Sequence, residues 1–288
     1  KQTDLTSSLK YKYNNLDVLG QTLVWMLICF AFPFLINTFL FLFDINSFSI
    51  IDYFQVSPSL YELIYKPWSL ITYGFFHADL WHLIGNMIIL YFAGRVVLDL
   101  FGKEKFIKIF IIGLLCGSCT YLISYNIFPV FQGLKPPMIG ASAGAIAVFV
   151  FLTSHMPSYT FRLIIFDVKI VYIALLIIIM DLIQIPVSNA GGHLAHLGGA
   201  AWGFYYNNQL KKGNDLGKWV INLLNYLKRF LKKKSKVRKV YKRDNFRKPS
   251  KEAVDQQKID LILDKISKSG YDSLTKGEKE TLFKAGEN

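Results

Sequence analysis

The chain has 288 residues, of which 52% are hydrophobic, and a formal net charge of +13. Together with a positive mean hydropathy this excludes an ordinary water-soluble domain and points to a bilayer as solvent. The three cysteines, Cys29, Cys116 and Cys119, all fall in apolar stretches, which excludes a disulfide framework or a zinc ribbon. Cys116-Gly-Ser-Cys119 has redox-motif spacing, but in an apolar helix it reads as buried small residues.

The apolar residues come in six blocks, 21–43, 82–100, 106–127, 139–153, 170–187 and 196–210. Each is long enough, or nearly so, to cross a hydrocarbon core as a helix. The first is too long and too far into the chain for a cleaved signal peptide. The expected fold is an all-α polytopic membrane protein with six transmembrane helices and a small cytosolic helical hairpin. Residues 1–20 form a cytoplasmic N-terminal segment and 21–210 the membrane core. Residues 211–255 are a basic amphipathic helix with a linker, and 256–288 the hairpin.

Charge sets the orientation. Lys10 and Lys12 precede span 1, Arg95, Lys103, Lys105 and Lys108 lie between spans 2 and 3, and Arg162 and Lys169 between spans 4 and 5. A dense basic tail follows span 6, whereas the other side has little beyond Lys66 and Lys135. Both termini are expected to face the cytoplasm, and the loops after spans 1, 3 and 5 to face out.

Between spans 1 and 2, residues 44–76 scatter Phe48, Tyr53, Phe54, Tyr65, Trp68 and Tyr73 through a stretch too polar to span, which suggests a structured element in the outer interface. Pro129 and Pro136-Pro137 keep the backbone extended before span 4, which therefore starts abruptly. Past span 6, Val220, Leu223, Leu224, Leu227 and Leu231 recur at helical spacing beside Lys228, Arg229, Lys232, Lys233 and Lys234. This basic amphipathic helix is expected on anionic lipid rather than on nucleic acid. In the hairpin, Ile259, Ile262, Leu263 and Ile266 make an apolar face, Gly270 stops the helix, and Thr275 with Glu278 forms a capping box. A cytosolic partner or regulatory role is expected for it.

Polar side chains at membrane depth are costly, so those present are candidates for function. His77, Asp79, His82 and Asn86 surround the start of span 2, Ser142 that of span 4, and His193 and His196 that of span 6. The charge-derived topology places all three groups at one outer depth. Ser142 in Gly140-Ala-Ser-Ala-Gly144 is a weak nucleophile unless a base takes its proton, and His196 is the available base. His196, Gly199 and Gly203 share a helix face, and Gly140, Gly144 and Ala147 make a matching smooth stripe. Packed backbone to backbone, these hold serine within reach of imidazole without an acidic third member. Asn86, with His82 one turn before it and the Ser142 N–H, supplies oxyanion donors.

Each has a plainer reading. Small-residue runs are packing seams in membrane helices, and the Gly-x-Ser-x-Gly elbow of soluble hydrolases needs a sheet that this chain lacks. His77, His82, His193 and His196 form a rival metal or haem set. Asp181, a mid-membrane carboxylate, is expected to be structural.

Three of these pieces together resemble the rhomboid family of intramembrane serine proteases: His82-Leu-Ile-Gly-Asn86, Gly140-Ala-Ser142-Ala, and Ala195-His196-Leu-Gly-Gly199-Ala-Ala-Trp-Gly203. They stand in the family's order across about residues 21–210. The resemblance implies a six-helix core with a Ser142–His196 dyad open to water from outside, and Gly140, His82 and Asn86 at the oxyanion site. It also implies substrates cut in transmembrane segments near the outer face, after a small residue, in a helix that unwinds readily; no metal or cofactor is implied. Where the family often has Trp-Arg this chain has Trp68-Ser69, and Ala143 follows the nucleophile where glycine is frequent. The hairpin resembles an extension found on some bacterial members. The expectation is therefore a serine endopeptidase in a bacterial inner (cytoplasmic) membrane, multi-pass, with transmembrane proteins as substrates. The rival from another class is a non-proteolytic chaperone or transport component that binds membrane helices.

Overall fold

The computed structural model describes residues 5–45, 49–163, 166–231 and 251–286 and divides into two compact units, residues 1–232 and 233–288. Both are built mainly from helices. In the first unit, α1 (Leu5–Asn14) leads into α2 (Val18–Leu42), whose start is capped by Asp17, its carboxylate accepting the Gly20 N–H at 2.8 Å. Short helices α3 (Leu60–Tyr65) and α4 (Ser69–Thr72) follow. The long element α5 (Leu80–Ile127) holds two helices joined at Gly102, which has φ 78° and ψ 170°. Glycine alone takes that conformation without strain. The chain folds back there: a Cβ on Gly94 would lie 2.9 Å from the Phe106 ring, a contact that a straight helix forbids at twelve residues' separation.

Next come α6 (Ser142–His155), α7 (Ile170–Gln184), α8 (Ala190–Lys211) and α9 (Lys218–Leu231). The core lies where α5, α6 and α8 pack together. Helix α6 is buried along most of its length, from Ala143 to Thr153. The helix α2 shows the opposite pattern, with Leu27, Ile28, Phe32, Leu35 and Phe39 exposed, as α7 does with Leu175, Leu176, Ile179, Leu182 and Ile183. Such continuous apolar faces are stable only against an apolar medium or another apolar surface. Helices α2 and α5 are long and apolar enough to cross a membrane; α6 and α7 are apolar but shorter.

Four features differ from the sequence expectation. The stretch between α6 and α7 is a β-hairpin, β1 (Thr160–Leu163) pairing antiparallel with β2 (Phe166–Lys169) with Thr160 opposite Lys169. Thr160, Phe161, Phe166 and Val168 suit a strand, but each run is too short to show a period. Helix α8 begins at Ala190 rather than at His196, because Asn189, at φ 45°, caps it by accepting the Gly192 N–H at 3.3 Å. Lys108, read as a loop cation, is 1% exposed and forms an ion pair with Asp215, which also accepts the Tyr206 hydroxyl at 2.6 Å. Finally Gly144, expected to face α8, lies against Phe110 of α5, 2.7 Å from where its Cβ would stand.

The segment between α2 and α5 is ordered by its aromatics. Trp68 donates from its indole N–H to the Tyr53 carbonyl at 2.8 Å, Thr72 donates to the Phe54 carbonyl at 3.2 Å, and Phe54 stacks on Phe76 with ring centroids 4.7 Å apart. Ser69, beside Trp68, is buried. Phe48 and the basic run Lys232, Lys233 and Lys234 lie outside the described residues.

The second unit is a helix pair, α10 (Lys251–Ser269) and α11 (Lys276–Gly286), turned by Gly270 at φ 77°. Ile262 and Leu274 are buried in it, whereas Leu263 is exposed. Thr275 and Glu278 cap α11 reciprocally, the Thr275 N–H donating to Glu278 Oε2 at 2.8 Å and the Glu278 N–H to Thr275 Oγ1 at 3.4 Å. Lys265 reaches the same carboxylate at 2.8 Å.

Candidate active site

Ser142 is the first residue of α6, and its position is fixed by the loop before it. Met138 bridges to Val56 through paired backbone hydrogen bonds of 3.0 Å. The Gly140 N–H donates to the Tyr73 carbonyl at 3.0 Å, and the Ala141 N–H donates to His77 Nε2 at 3.3 Å. Tyr73, fully buried, is held in turn by its hydroxyl donating to the Leu114 carbonyl at 2.9 Å. Burial, with His82 nearby, holds the His77 imidazole well below its ordinary range, at about 4. A neutral imidazole has the free lone pair that this hydrogen bond needs. The imidazole of His77, 2% exposed, thus positions the loop.

Gly140 is required twice over. Its φ is +127°, and a Cβ there would lie 2.6 Å from His82 Nε2 and 3.7 Å from Asn86 Nδ2. His82 and Asn86 therefore converge on the residue two before Ser142. They lie one turn apart at the start of α5, whose N-cap is Asp79, its carboxylate accepting the His82 N–H at 2.9 Å. Asn86 is 5% exposed and its side-chain N–H group has no hydrogen-bond partner among the described residues. An unpaired buried donor costs about 1–3 kcal/mol.

His196 comes from the second turn of α8, where the helix runs closest to α6. A Cβ on Gly199 would stand 2.1 Å from the Ala143 carbonyl oxygen, and one on Gly203 would stand 2.2 Å from that of Ala147. Backbones can approach so closely only with glycine at the contact. Ser142, His196, His82, Asn86 and Gly140 all line one cavity of about 570 Å³, with Trp81 at its edge. Within it Ser142 and His196 share no direct hydrogen bond; catalytic pairs are often long without substrate and tighten when it binds.

The expectation of a base without an acid is corrected by the structure, and Asp181, expected in a structural role, proves to be hydrogen-bonded to the base itself. Asp181, on α7 and 5% exposed, accepts from Nδ1 of His196 at 2.8 Å. The same oxygen lies 2.8 Å from Nδ1 of His193. Sequence spacing could not show this, because Asp181 and His196 sit on different helices; the only signal was the cost of a carboxylate amid the apolar residues of α7. The four-histidine set does not assemble as such: His77 and His82 pair with ring centroids 5.1 Å apart, and His193 and His196 gather with Asp181.

The chemistry available is acyl transfer. A hydroxyl, an imidazole whose far nitrogen is oriented by a carboxylate, and an unpaired amide donor face one space, the set of roles such a reaction needs.

Residues 65–211, just over half of the chain, match the model of the Rhomboid domain, and residues 249–284 match a family of unknown function, DUF6576. RHOMBOID-like protein 12, mitochondrial, of Arabidopsis thaliana is 32% identical over 157 residues, covering 50% of this chain and 47% of that protein. The presenilin-associated rhomboid-like proteins, mitochondrial, of Rattus norvegicus and Homo sapiens are each 27% identical over 162 residues, 55% of this chain and 41% of theirs. The chain thus spans less than half the length of these curated relatives. Their names place them in mitochondria, so they lend no support to a bacterial origin.

Proposed function

The chain belongs to the rhomboid family, whose members are embedded in membranes, and on that premise we propose that it is an intramembrane serine endopeptidase cleaving transmembrane segments near one membrane face. One observation carries the proposal: three helices bring Ser142, His196, His82 and the unpaired Asn86 amide to a single cavity.

In the proposed reaction His196 Nε2 takes the Ser142 hydroxyl proton as Oγ attacks the scissile carbonyl. The Nδ1–H of His196 meanwhile stays on Asp181, which fixes the tautomer and favours the imidazolium that forms. The tetrahedral oxyanion receives hydrogen bonds from Asn86 Nδ2, from His82 and from the Ser142 N–H, which as the first of a helix lacks an intrahelical partner. His196 then gives its proton to the leaving amine, and water resolves the acyl-enzyme by the same route. Bulk water reaches the cavity because α6 is short. Its 14 residues rise roughly 21 Å, against a hydrocarbon core of about 30 Å, so Ser142 stands below the membrane surface at the foot of the cavity.

We read the membrane core as six spans, α2, the two halves of α5, α6, α7 and α8, with both termini on the Lys/Arg-rich side. In a bacterial cell that side is the cytoplasm. The outward apolar faces of α2 and α7 support this count. Transmembrane proteins are the proposed substrates, anionic lipid the proposed partner of α9, and a cytosolic protein that of the α10–α11 pair.

The test is cleavage of a model transmembrane substrate by the protein reconstituted in liposomes. Wild type cleaves and Ser142→Ala does not. Equal cleavage by both refutes the proposal, and a folded wild type that binds the substrate without cleaving it favours a non-proteolytic helix binder.

A further inference from the structure

The meeting of Asp181, His193 and His196 asks for more than one role. A single carboxylate oxygen, Asp181 Oδ1, lies 2.8 Å from Nδ1 of both imidazoles, while the other, Oδ2, is buried without a hydrogen-bond partner among the described residues. One Nδ1–H···Oδ1 bond suffices to orient His196. It explains neither the second imidazole on the same oxygen nor the idle Oδ2, which as an unpaired buried acceptor costs stability. One ligand-type atom from each of the three residues lies within 4.8 Å of the others, and the two histidine side chains keep 18% and 19% of their surface exposed. Two histidines one turn apart on a helix, with a carboxylate opposite and an exposed edge for a fourth ligand, form an open His₂-carboxylate set suited to Zn²⁺.

We propose that Asp181, His193 and His196 bind Zn²⁺, and that the bound ion switches the proteolytic site off. The second half rests on the role given above to His196; the first does not. The two nitrogens contribute lone pairs and the carboxylate its charge, which accounts for both imidazoles meeting on one carboxylate. Coordination at Nδ1 changes what His196 can do. The neutral ring keeps one proton, which moves from Nδ1 to Nε2 as the Nδ1 lone pair goes to the metal. The nitrogen facing Ser142 is then an N–H with no lone pair and cannot take the hydroxyl proton. His193 makes the same shift, so no proton is released from either neutral ring. Zinc and serine chemistry therefore exclude each other at one imidazole.

Binding is read without activity. Co²⁺ is titrated into full-length Ser142→Ala protein in detergent, and the visible band of low-coordinate Co²⁺ is followed. The expected result is one equivalent of bound Co²⁺, displaced by Zn²⁺, with affinity weakened at least about 10–100-fold by His193→Ala, the loss that even an outer-shell partner causes. His193→Gln, which keeps the volume and loses the ligand, is measured beside it, with circular dichroism confirming the fold. A band that is absent from the folded protein, or equally strong in both variants, overturns the site. Inhibition is read on the protein with Ser142 intact: Zn²⁺ slows substrate cleavage, a chelator restores it, and His193→Ala raises the half-inhibiting concentration by a similar factor relative to its own metal-free rate. Full cleavage with the site occupied overturns the inhibitory half. Failure of the metal-free protein to cleave overturns the protease reading instead, since the Co²⁺ band does not depend on it.

Discussion

The closest helix contact beside the site gives the sharpest mutational prediction. In Gly199→Ala the new Cβ would fall 2.1 Å from the Ala143 carbonyl oxygen, where ordinary contact begins at 3.4 Å. Backbone oxygen cannot swing aside as a side chain does, so α6 and α8 must separate by about 1.3 Å, the gap between those two distances. Overpacking of this kind costs about 1–3 kcal/mol, offset by up to about 1 kcal/mol from replacing glycine in a helix interior. The larger effect is on chemistry. Ala143 adjoins Ser142 and Gly199 lies one turn from His196, so the separation opens the nucleophile–base pair by a similar distance, and a 1 Å misplacement costs about 10²-fold in rate. Gly203→Ala is the matched comparison: its Cβ would meet the Ala147 carbonyl at 2.2 Å, one turn further from Ser142. Thermal denaturation should show comparable losses for the two variants. Initial cleavage rates in liposomes should fall about 10²-fold for Gly199→Ala and much less for Gly203→Ala. Equal activity of the two, both folded, refutes the claim that this contact sets the catalytic geometry.

Removing the Asn86 amide as Asn86→Ala should lower kcat by about 10²–10³-fold with little change in KM, as loss of one oxyanion donor does; a change confined to KM would assign Asn86 to substrate binding. Asp181→Ala should lower kcat by roughly 10²-fold by releasing the His196 tautomer, and an unchanged kcat would return Asp181 to a structural role. At Asp215 burial pushes the carboxyl up, but the hydrogen bonds from Lys108 and Tyr206 outweigh it and hold it below its ordinary value of 3.8. A carboxyl held low in the folded state stabilises the fold above pH 3.8, and that contribution disappears as pH falls through the lowered value. Asp215→Asn should therefore be less stable at neutral pH by about 3 kcal/mol, because it leaves Lys108 buried without its counter-charge. It should also lose less further stability than wild type on acidification below pH 4. Denaturation midpoints against pH for both proteins measure the two effects.

What could be read before the structure depended on whether a feature was local. The apolar blocks, the Thr275–Glu278 cap and the stop at Gly270 are written in consecutive residues, and they appear within a few positions of where the pattern puts them. The start of α8 was misplaced because its cap, Asn189, takes a left-handed conformation in a run of small residues with no apolar period. Gly140 was legible as a small residue beside the serine, but not as a positive-φ position pressed against His82. The partners that act across helices were the least legible. Asp181 with His196, His77 with Ala141, and Lys108 with Asp215 each join residues 15 to 107 positions apart, and nothing in either neighbourhood names the other. For Asp181 and His77 the sequence showed only a polar group where solvation is costly, a reason to expect a partner without saying which, and Lys108 showed only a charge in a loop.

The central claim, that Ser142 is a nucleophile activated by His196, is tested most directly by a fluorophosphonate probe applied to the folded full-length protein in detergent. The account predicts covalent labelling at Ser142 in wild type, none in Ser142→Ala, and loss of labelling in His196→Ala that keeps its thermal transition. Labelling that survives either substitution, or a folded wild type that the probe leaves unmodified, would contradict it.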